Sequence, residues 1–126
     1  LMKEPLHVKG TIRDIAFKKR RRFFVLRSPW LLYYQQACDV DGVKKNGKKA
    51  DLKGGIKFAP GVSTVKLYGK RLTITGLTTK GKEVSVYAFV REQPEGLLWE
   101  KAINHAIAYI EATGGKEQDD SETKKD

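Results

Sequence analysis

Cysteine is nearly absent from this sequence, and long apolar runs are missing altogether. Cys38 is the single cysteine, so an internal disulfide is excluded and a reducing compartment is favoured. No apolar run approaches the roughly 18 residues that a helix needs to cross a bilayer. Residues 1–5 lack the apolar stretch of a signal peptide and are interpreted as an N-terminal extension. These absences favour a cytoplasmic protein.

The sequence is also poor in the residue patterns of catalytic sites. His7 and His105 are the only histidines and Cys38 stands alone, so no metal-ligand spacing exists. No Ser/His/Asp or Cys/His arrangement has local support, and the glycines form neither a phosphate-binding loop nor a dinucleotide fingerprint. We therefore expect a protein that is not an enzyme and that holds no metal or other cofactor.

What the chain has in excess is positive charge, and the excess lies in one half. The net charge is +10 over 126 residues, a length that suits one domain with a core of its own. Residues 1–58 contain 15 Lys and Arg against 5 Asp and Glu, whereas residues 59–126 contain 10 of each. Localised positive charge predicts an anionic partner, either nucleic acid or a phospholipid surface.

The first 91 residues have the pattern of short strands separated by turns. Each segment is rich in β-branched or aromatic residues, and Gly, Pro, Asn and Asp mark the breaks between them. The predicted strands are His7–Ile15, Arg22–Leu26, Leu31–Tyr34, Gly55–Phe58, Ser63–Leu67, Arg71–Thr75 and Val84–Val90. Seven strands at this spacing predict a small antiparallel sandwich or barrel.

The hydrophobic period changes to that of a helix from Pro94 onward. Proline is well placed in a first helical turn, where its missing N–H costs nothing. Apolar residues then recur on one face, at Trp99, Ile103, Ala106 and Ile110. The pair at 114–115 is Gly-Gly, which predicts the helix end, and residues 114–126 are predicted to be a disordered polar tail. A helix with one apolar face can close the open end of a small barrel.

The order of these segments resembles that of pleckstrin-homology (PH) domains over residues 6–113. The similar segments are Gly10–Ile12 for the first strand, Arg20–Leu26 for the basic-then-aromatic second strand, Leu31–Tyr34, Lys53–Ile56, and Trp99 in the last helix. The resemblance implies a seven-stranded bent antiparallel sandwich capped by one C-terminal amphipathic helix. It also implies a lipid-headgroup site between the first two strands, where Arg20-x-Arg22 matches the family's pattern. Asp14 departs from it, because strong phosphoinositide binders carry a basic residue there.

The basic run at 18–22 is the strongest functional signal in the chain. Alternate strand residues face opposite sides, so one face can line a phosphate pocket while the other lies near the bilayer. Arginine suits phosphate because its planar fork donates two parallel hydrogen bonds. The predicted headgroup-binding residues are Arg13, Lys18, Lys19, Arg20, Arg22, Tyr34 and Lys53. The alternative is a solvated hairpin end whose charges protect a sheet edge.

Three neighbouring features leave alternatives open. Ile15 and Phe17 either insert into the membrane interface beside the bases or face the core. Tyr33 and Tyr34 alternate, so one ring should be exposed and able to reach a phosphate, unless both pack in the core. The lysines of the polar 44–49 segment either add attraction to the same anionic surface or form a flexible solubilising loop.

These patterns predict a monomeric module on the cytosolic face of a membrane. It binds anionic phospholipids, with phosphoinositides or phosphatidic acid as the leading ligands. A protein-interaction module of the same fold, with only non-specific lipid affinity, is the alternative. Nucleic-acid binding is disfavoured, because the sequence predicts no exposed aromatic platform on the strands on which bases could stack.

Overall fold

The structure is a computed structural model that describes residues 8–14 and 20–113, and for 8–14 and Arg20 it describes the backbone alone. Ile15, Phe17, Lys18 and Lys19 lie outside the described residues, as do the N-terminal extension at 1–5 and the polar tail at 114–126. What was predicted for these residues therefore stays a prediction.

The described residues form one antiparallel sheet and a C-terminal helix, which confirms the mainly-β class. The elements are β1 Val8–Asp14, β2 Arg20–Arg27, β3 Trp30–Tyr34, β4 Leu52–Lys57, β5 Thr64–Tyr68, β6 Arg71–Leu77, β7 Glu83–Phe89 and α1 Gln93–Ala112. The strand order is β4-β3-β2-β1-β7-β6-β5, and β4 also meets β6 through the pair Lys57 and Leu77. The sheet thus curls back on itself, an arrangement compatible with a PH-like fold.

The concave face of the curled sheet carries the main core. In β2 and β3 the buried residues Phe24, Leu26, Leu31 and Tyr33 all face inward, as strand alternation requires. Strands β4 and β6 add Ile56 and Ile74, and the loop after β4 adds Phe58. Residues that alternate with these face outward, so the inner and outer faces of each strand can be assigned directly.

Helix α1 closes this core with the predicted apolar stripe. Trp99, Ile103, Ala106 and Ile110 are all buried, which confirms the stripe. Pro94 lies in the first turn as predicted. The helix ends at Ala112, where the hydroxyl of Thr113 donates to the carbonyl of Tyr109 at 2.9 Å. The predicted Gly-Gly end at 114–115 lies outside the described residues. No described helix is both long and apolar enough to cross a membrane.

A glycine and a glutamate fix α1 against β5. Gly96 is buried, and a Cβ there would approach Leu67 to 2.8 Å, so glycine allows the helix to lie close to the strand. One turn later, the Glu100 carboxylate accepts a 2.9 Å hydrogen bond from the backbone N–H of Leu67. Strand β5 is the last strand of the sheet, so this carboxylate satisfies a donor on the sheet's outer edge.

The β3–β4 connection folds back over the outer face of the sheet and builds a second, smaller core. Val25, Tyr34 and Cys38 are buried there. The Asp39 carboxylate accepts backbone hydrogen bonds from Asp41 and Val43 at 2.9 and 3.0 Å, which holds the turn. The connection that contains the polar 44–49 segment is therefore a compact structure anchored by apolar side chains.

Antiparallel pairing sorts the connections between strands to opposite ends of the sheet. The β1–β2 and β3–β4 connections lie at one end of strands β1 to β4, which we call the loop end. The β2–β3 turn lies at the other end of these strands, and the β6–β7 turn follows Leu77, which pairs with Lys57 at that same end. The predicted headgroup site and the lysine segment therefore share the loop end.

Candidate functional site

Positive charge gathers at the loop end. Its described basic residues are Arg22, Lys44, Lys45, Lys48, Lys49 and Lys53, most of them exposed. Lys80 and Lys82 lie elsewhere, in the β6–β7 turn next to the end of β4. Basic residues gathered on one surface raise the local potential and attract anions.

Arg22 occupies a particular place in this cluster. It lies two residues before the core residue Phe24 and is partly buried on the same inner face. Its terminal nitrogen donates to the carbonyl of Arg21 at 3.1 Å. Its Nε is buried and has no hydrogen-bond partner among the described residues. A buried donor without a partner is costly, and an anionic oxygen at this end would satisfy it.

The β1–β2 register separates the predicted headgroup residues into two groups. Arg20 pairs with Asp14, whereas Arg13 pairs with Arg21. Directly paired residues lie on the same face of a sheet. Arg20 and Arg22 therefore share the inner face with Asp14, and Arg13 occupies a position on the outer face. The structure does not bring Arg13 together with Arg20 and Arg22.

Tyr34 does not present an exposed ring. Tyr33 and Tyr34 are each only 6% exposed, so of the two alternatives the packing of both rings in the core is confirmed. Tyr33 joins the main core, and Tyr34 joins the second core under the β3–β4 connection. The Tyr34 ring packs on Gly42, where a Cβ would lie 2.9 Å from the hydroxyl oxygen. Burial, and then the nearby Cys38, raise the pKa of Tyr34, so its hydroxyl stays neutral.

Lys53 and the lysines of the 44–49 segment are exposed or half-exposed, and hydrogen bonds fix the backbone that carries them. Lys53 is the extra residue of a β-bulge, because Tyr33 pairs with Gly54 while Tyr34 pairs with Leu52. Bulges re-aim a side chain relative to a regular strand. The lysine segment closes as a small hairpin in which the N–H of Lys44 donates to the carbonyl of Lys48 at 2.7 Å. Its lysines surround the turn as exposed or half-exposed point charges.

A second charged surface, not identified from the sequence, lies on the outer face of β5, β6 and β7. Tyr68 and Tyr87 are 56% and 41% exposed there, and the guanidinium of Arg71 lies 5.4 and 5.3 Å from their ring centroids. The premise that the strands lack an exposed aromatic platform is therefore wrong. A hollow of about 640 Å³ adjoins this surface. Its lining includes Arg21, Lys70, Phe89, Arg91 and Glu92.

Similarity to known proteins adds no assignment to these surfaces. No protein-family model matches the chain, and a search of curated proteins found no match. Within the described part of the chain, no three His, Cys, Asp or Glu side chains are grouped so that they could hold a metal ion. The architecture and the two charged surfaces are therefore the basis for inferring a function.

Proposed function

We propose that this chain is a non-catalytic module of the PH type that docks on anionic phospholipid membranes through its loop end. The observation that carries the proposal is Arg22, whose buried Nε has no hydrogen-bond partner in the part of the chain that the structure describes, at the end of the sheet where the basic residues gather. A phosphate oxygen from a lipid headgroup has the charge and the acceptor geometry that this donor needs.

The charges at the loop end are sufficient in number for reversible docking. Each basic residue near an anionic membrane contributes about 1 kcal/mol. The described lysines, together with Lys18 and Lys19 of the β1–β2 connection, could therefore supply several kcal/mol. Such binding concentrates the protein at the cytosolic leaflet without a specific pocket. Selection among headgroups then depends on Arg22 and its strand neighbour Arg20.

A protein ligand is the second candidate, and an apolar groove favours it. The groove has a volume of about 490 Å³ on the outer face of β3 and β4, with Trp30, Leu32 and Leu52 in its lining. Gly55 keeps it open, since a Cβ there would lie 2.8 Å from Leu32. In this alternative, vesicle binding is non-specific, so soluble headgroups should not compete with vesicles of matched charge. Competition by one headgroup would favour the lipid module.

We expect vesicle binding to weaken steeply as salt is raised, because the exposed lysines are screened beyond about 8 Å at physiological ionic strength. Sedimentation with vesicles of neutral lipid, with and without an anionic lipid, measures this directly. Neutral vesicles are the control and should leave the protein in the supernatant. Vesicle binding that does not change with salt concentration would contradict an electrostatic mechanism, as would equal binding to neutral and anionic vesicles.

Arg22→Lys should weaken vesicle binding by about 1–2 kcal/mol, because it keeps the charge and removes the planar fork. Arg21→Lys is the matched control. Arg21 is adjacent and exposed, but it lies on the outer face, so its conversion should have little effect.

Replacing Lys44, Lys45, Lys48 and Lys49 with glutamine separates general attraction from recognition. The quadruple variant should bind every anionic lipid more weakly by a similar factor, with the order of preference unchanged. The comparison needs vesicles of equal surface charge that carry different headgroups. If Arg22→Lys has no effect while the lysine variant changes the preference, the headgroup site is not at Arg22.

A further inference from the structure

One row of residues crosses five strands on the outer face of the sheet and alternates aromatic with basic positions. Tyr68 pairs with Arg71, Arg71 with Phe89, Phe89 with Arg13, and Arg13 with Arg21. Directly paired residues share a face, so these five positions form one stripe. We call Tyr68, Arg71, Phe89, Arg13 and Arg21 the aromatic–cation stripe, and for Arg13 only the backbone position is used.

The neighbouring row repeats the same chemistry. Lys66 pairs with Thr73, and Thr73 pairs with Tyr87. Tyr87 packs against Arg71 from this row, so the guanidinium has an aromatic ring on two sides. Every charged side chain in the two rows is a cation, and the described ones are exposed. Contact with an aromatic ring stabilises a guanidinium while leaving its N–H groups free to donate.

We propose that this stripe and the adjacent Tyr87 bind single-stranded nucleic acid, with bases stacking on the exposed rings of Tyr68 and Tyr87 and phosphates meeting Arg71 and Arg21. Exposed aromatic rings interleaved with cations on a sheet surface are what sequence-tolerant single-strand binding requires. An acidic peptide would satisfy the cations and leave the rings unused. Nucleic acid uses both.

This inference stands apart from the proposed membrane function in its residues. The stripe is on the outer face, whereas Arg22 is on the inner face. Lys70 and Arg91 line the hollow beside Phe89 and Arg21. They extend the positive surface along the path that a bound nucleic-acid strand would take. Glu92 and Glu95 also line this hollow, and their negative charge would limit that path.

The test is fluorescence anisotropy with a labelled oligothymidylate long enough to cross the sheet. Tyr68→Ala combined with Tyr87→Ala should weaken binding at least about tenfold, since each stacked ring contributes about 1–3 kcal/mol. Tyr68→Phe keeps the ring and should bind like the unmodified chain. Arg71→Gln should also make the salt dependence shallower, by about 0.7 in the logarithmic slope, because one phosphate contact is lost.

Two controls separate stacking from general attraction. Lys80→Gln with Lys82→Gln removes two charges of the β6–β7 turn, at the opposite end of the β6–β7 hairpin from the stripe, and should weaken binding less than the tyrosine pair does. Polyglutamate, an anion without flat bases, should bind the tyrosine variant and the unmodified chain equally. Tyr68→Leu with Tyr87→Leu repeats the test with apolar bulk retained, in case the alanine variant is unstable.

The same variants distinguish this inference from the membrane proposal. Vesicle binding should be unchanged by the tyrosine substitutions. The stripe is not a nucleic-acid site if the tyrosine substitutions leave the affinity for oligothymidylate unchanged. The same holds if the Lys80 and Lys82 control lowers that affinity as much as the tyrosine substitutions do. Equal loss of polyglutamate and oligothymidylate binding also overturns the nucleic-acid site and assigns the surface to an acidic protein.

Discussion

Replacing Trp99 with alanine should lower the free energy of unfolding by about 3–5 kcal/mol, as large-to-small core substitutions do. Trp99 is 3% exposed, and its ring meets Phe24 edge to face with centroids 6.5 Å apart. It therefore joins the helix to the strand that carries the basic run. Because domains are stable by only about 5–15 kcal/mol, the variant could be partly unfolded at room temperature.

The adjacent residue provides a matched control for this prediction. Leu98 is 68% exposed on the same helix, so Leu98→Ala should change stability by only about 0.5 kcal/mol. Urea denaturation followed by circular dichroism measures both variants. A Trp99 variant with normal stability would mean that the helix does not close the core.

Gly76→Ala should destabilise the fold by about 1–3 kcal/mol, through overpacking where β4, one margin of the curled sheet, meets β6. A Cβ at Gly76 would collide with the Ile56 side chain and lie 2.9 Å from the Lys57 carbonyl oxygen. The next residue, Leu77, pairs with Lys57 and so joins β6 to β4. Backbone cannot rotate out of the way as a side chain can, so the strands themselves must separate.

Gly55→Ala is the comparison that isolates this backbone effect. Its added Cβ would meet the end of the Leu32 side chain at 2.8 Å, and the nearest backbone atom is the Leu31 carbonyl oxygen at 3.3 Å. Leu32 can adjust its rotamer, and alanine reduces the entropy of the unfolded chain, so the loss should be smaller. Equal thermal stability of the Gly76 variant and the unmodified chain would show that β4 and β6 do not need this close approach.

Local patterns were sufficient to place most elements in the sequence. The predicted strand Ser63–Leu67 is β5 at Thr64–Tyr68, and Val84–Val90 is β7 at Glu83–Phe89, so each is displaced by one residue. The helix stripe was found because its period of buried residues is regular. Strand β2 is longer than predicted, because the charges at its two ends do not resemble a strand interior.

The parts of the site that the sequence did not indicate depend on contacts between distant segments. Tyr34 is buried because the β3–β4 connection folds over it, and strand alternation alone carries no sign of that cover. The aromatic–cation stripe joins Tyr68 to Arg21 through the pairing of β1 with β7. Strand alternation alone correctly predicted that Arg22 and Arg21 lie on opposite faces of the sheet, because the face of a residue within one strand is a local property.

The hydrogen bond from Leu67 to Glu100 has a consequence for how this protein aggregates when it partly unfolds. An uncovered outer strand offers unpaired backbone groups to another copy of the chain, which is a common start of aggregation. The helix that completes the core also occupies this edge with its carboxylate. Any stress that loosens α1 therefore exposes apolar surface and a strand edge together. Intermolecular strand pairing, rather than a soluble partly folded chain, is the expected product of that opening.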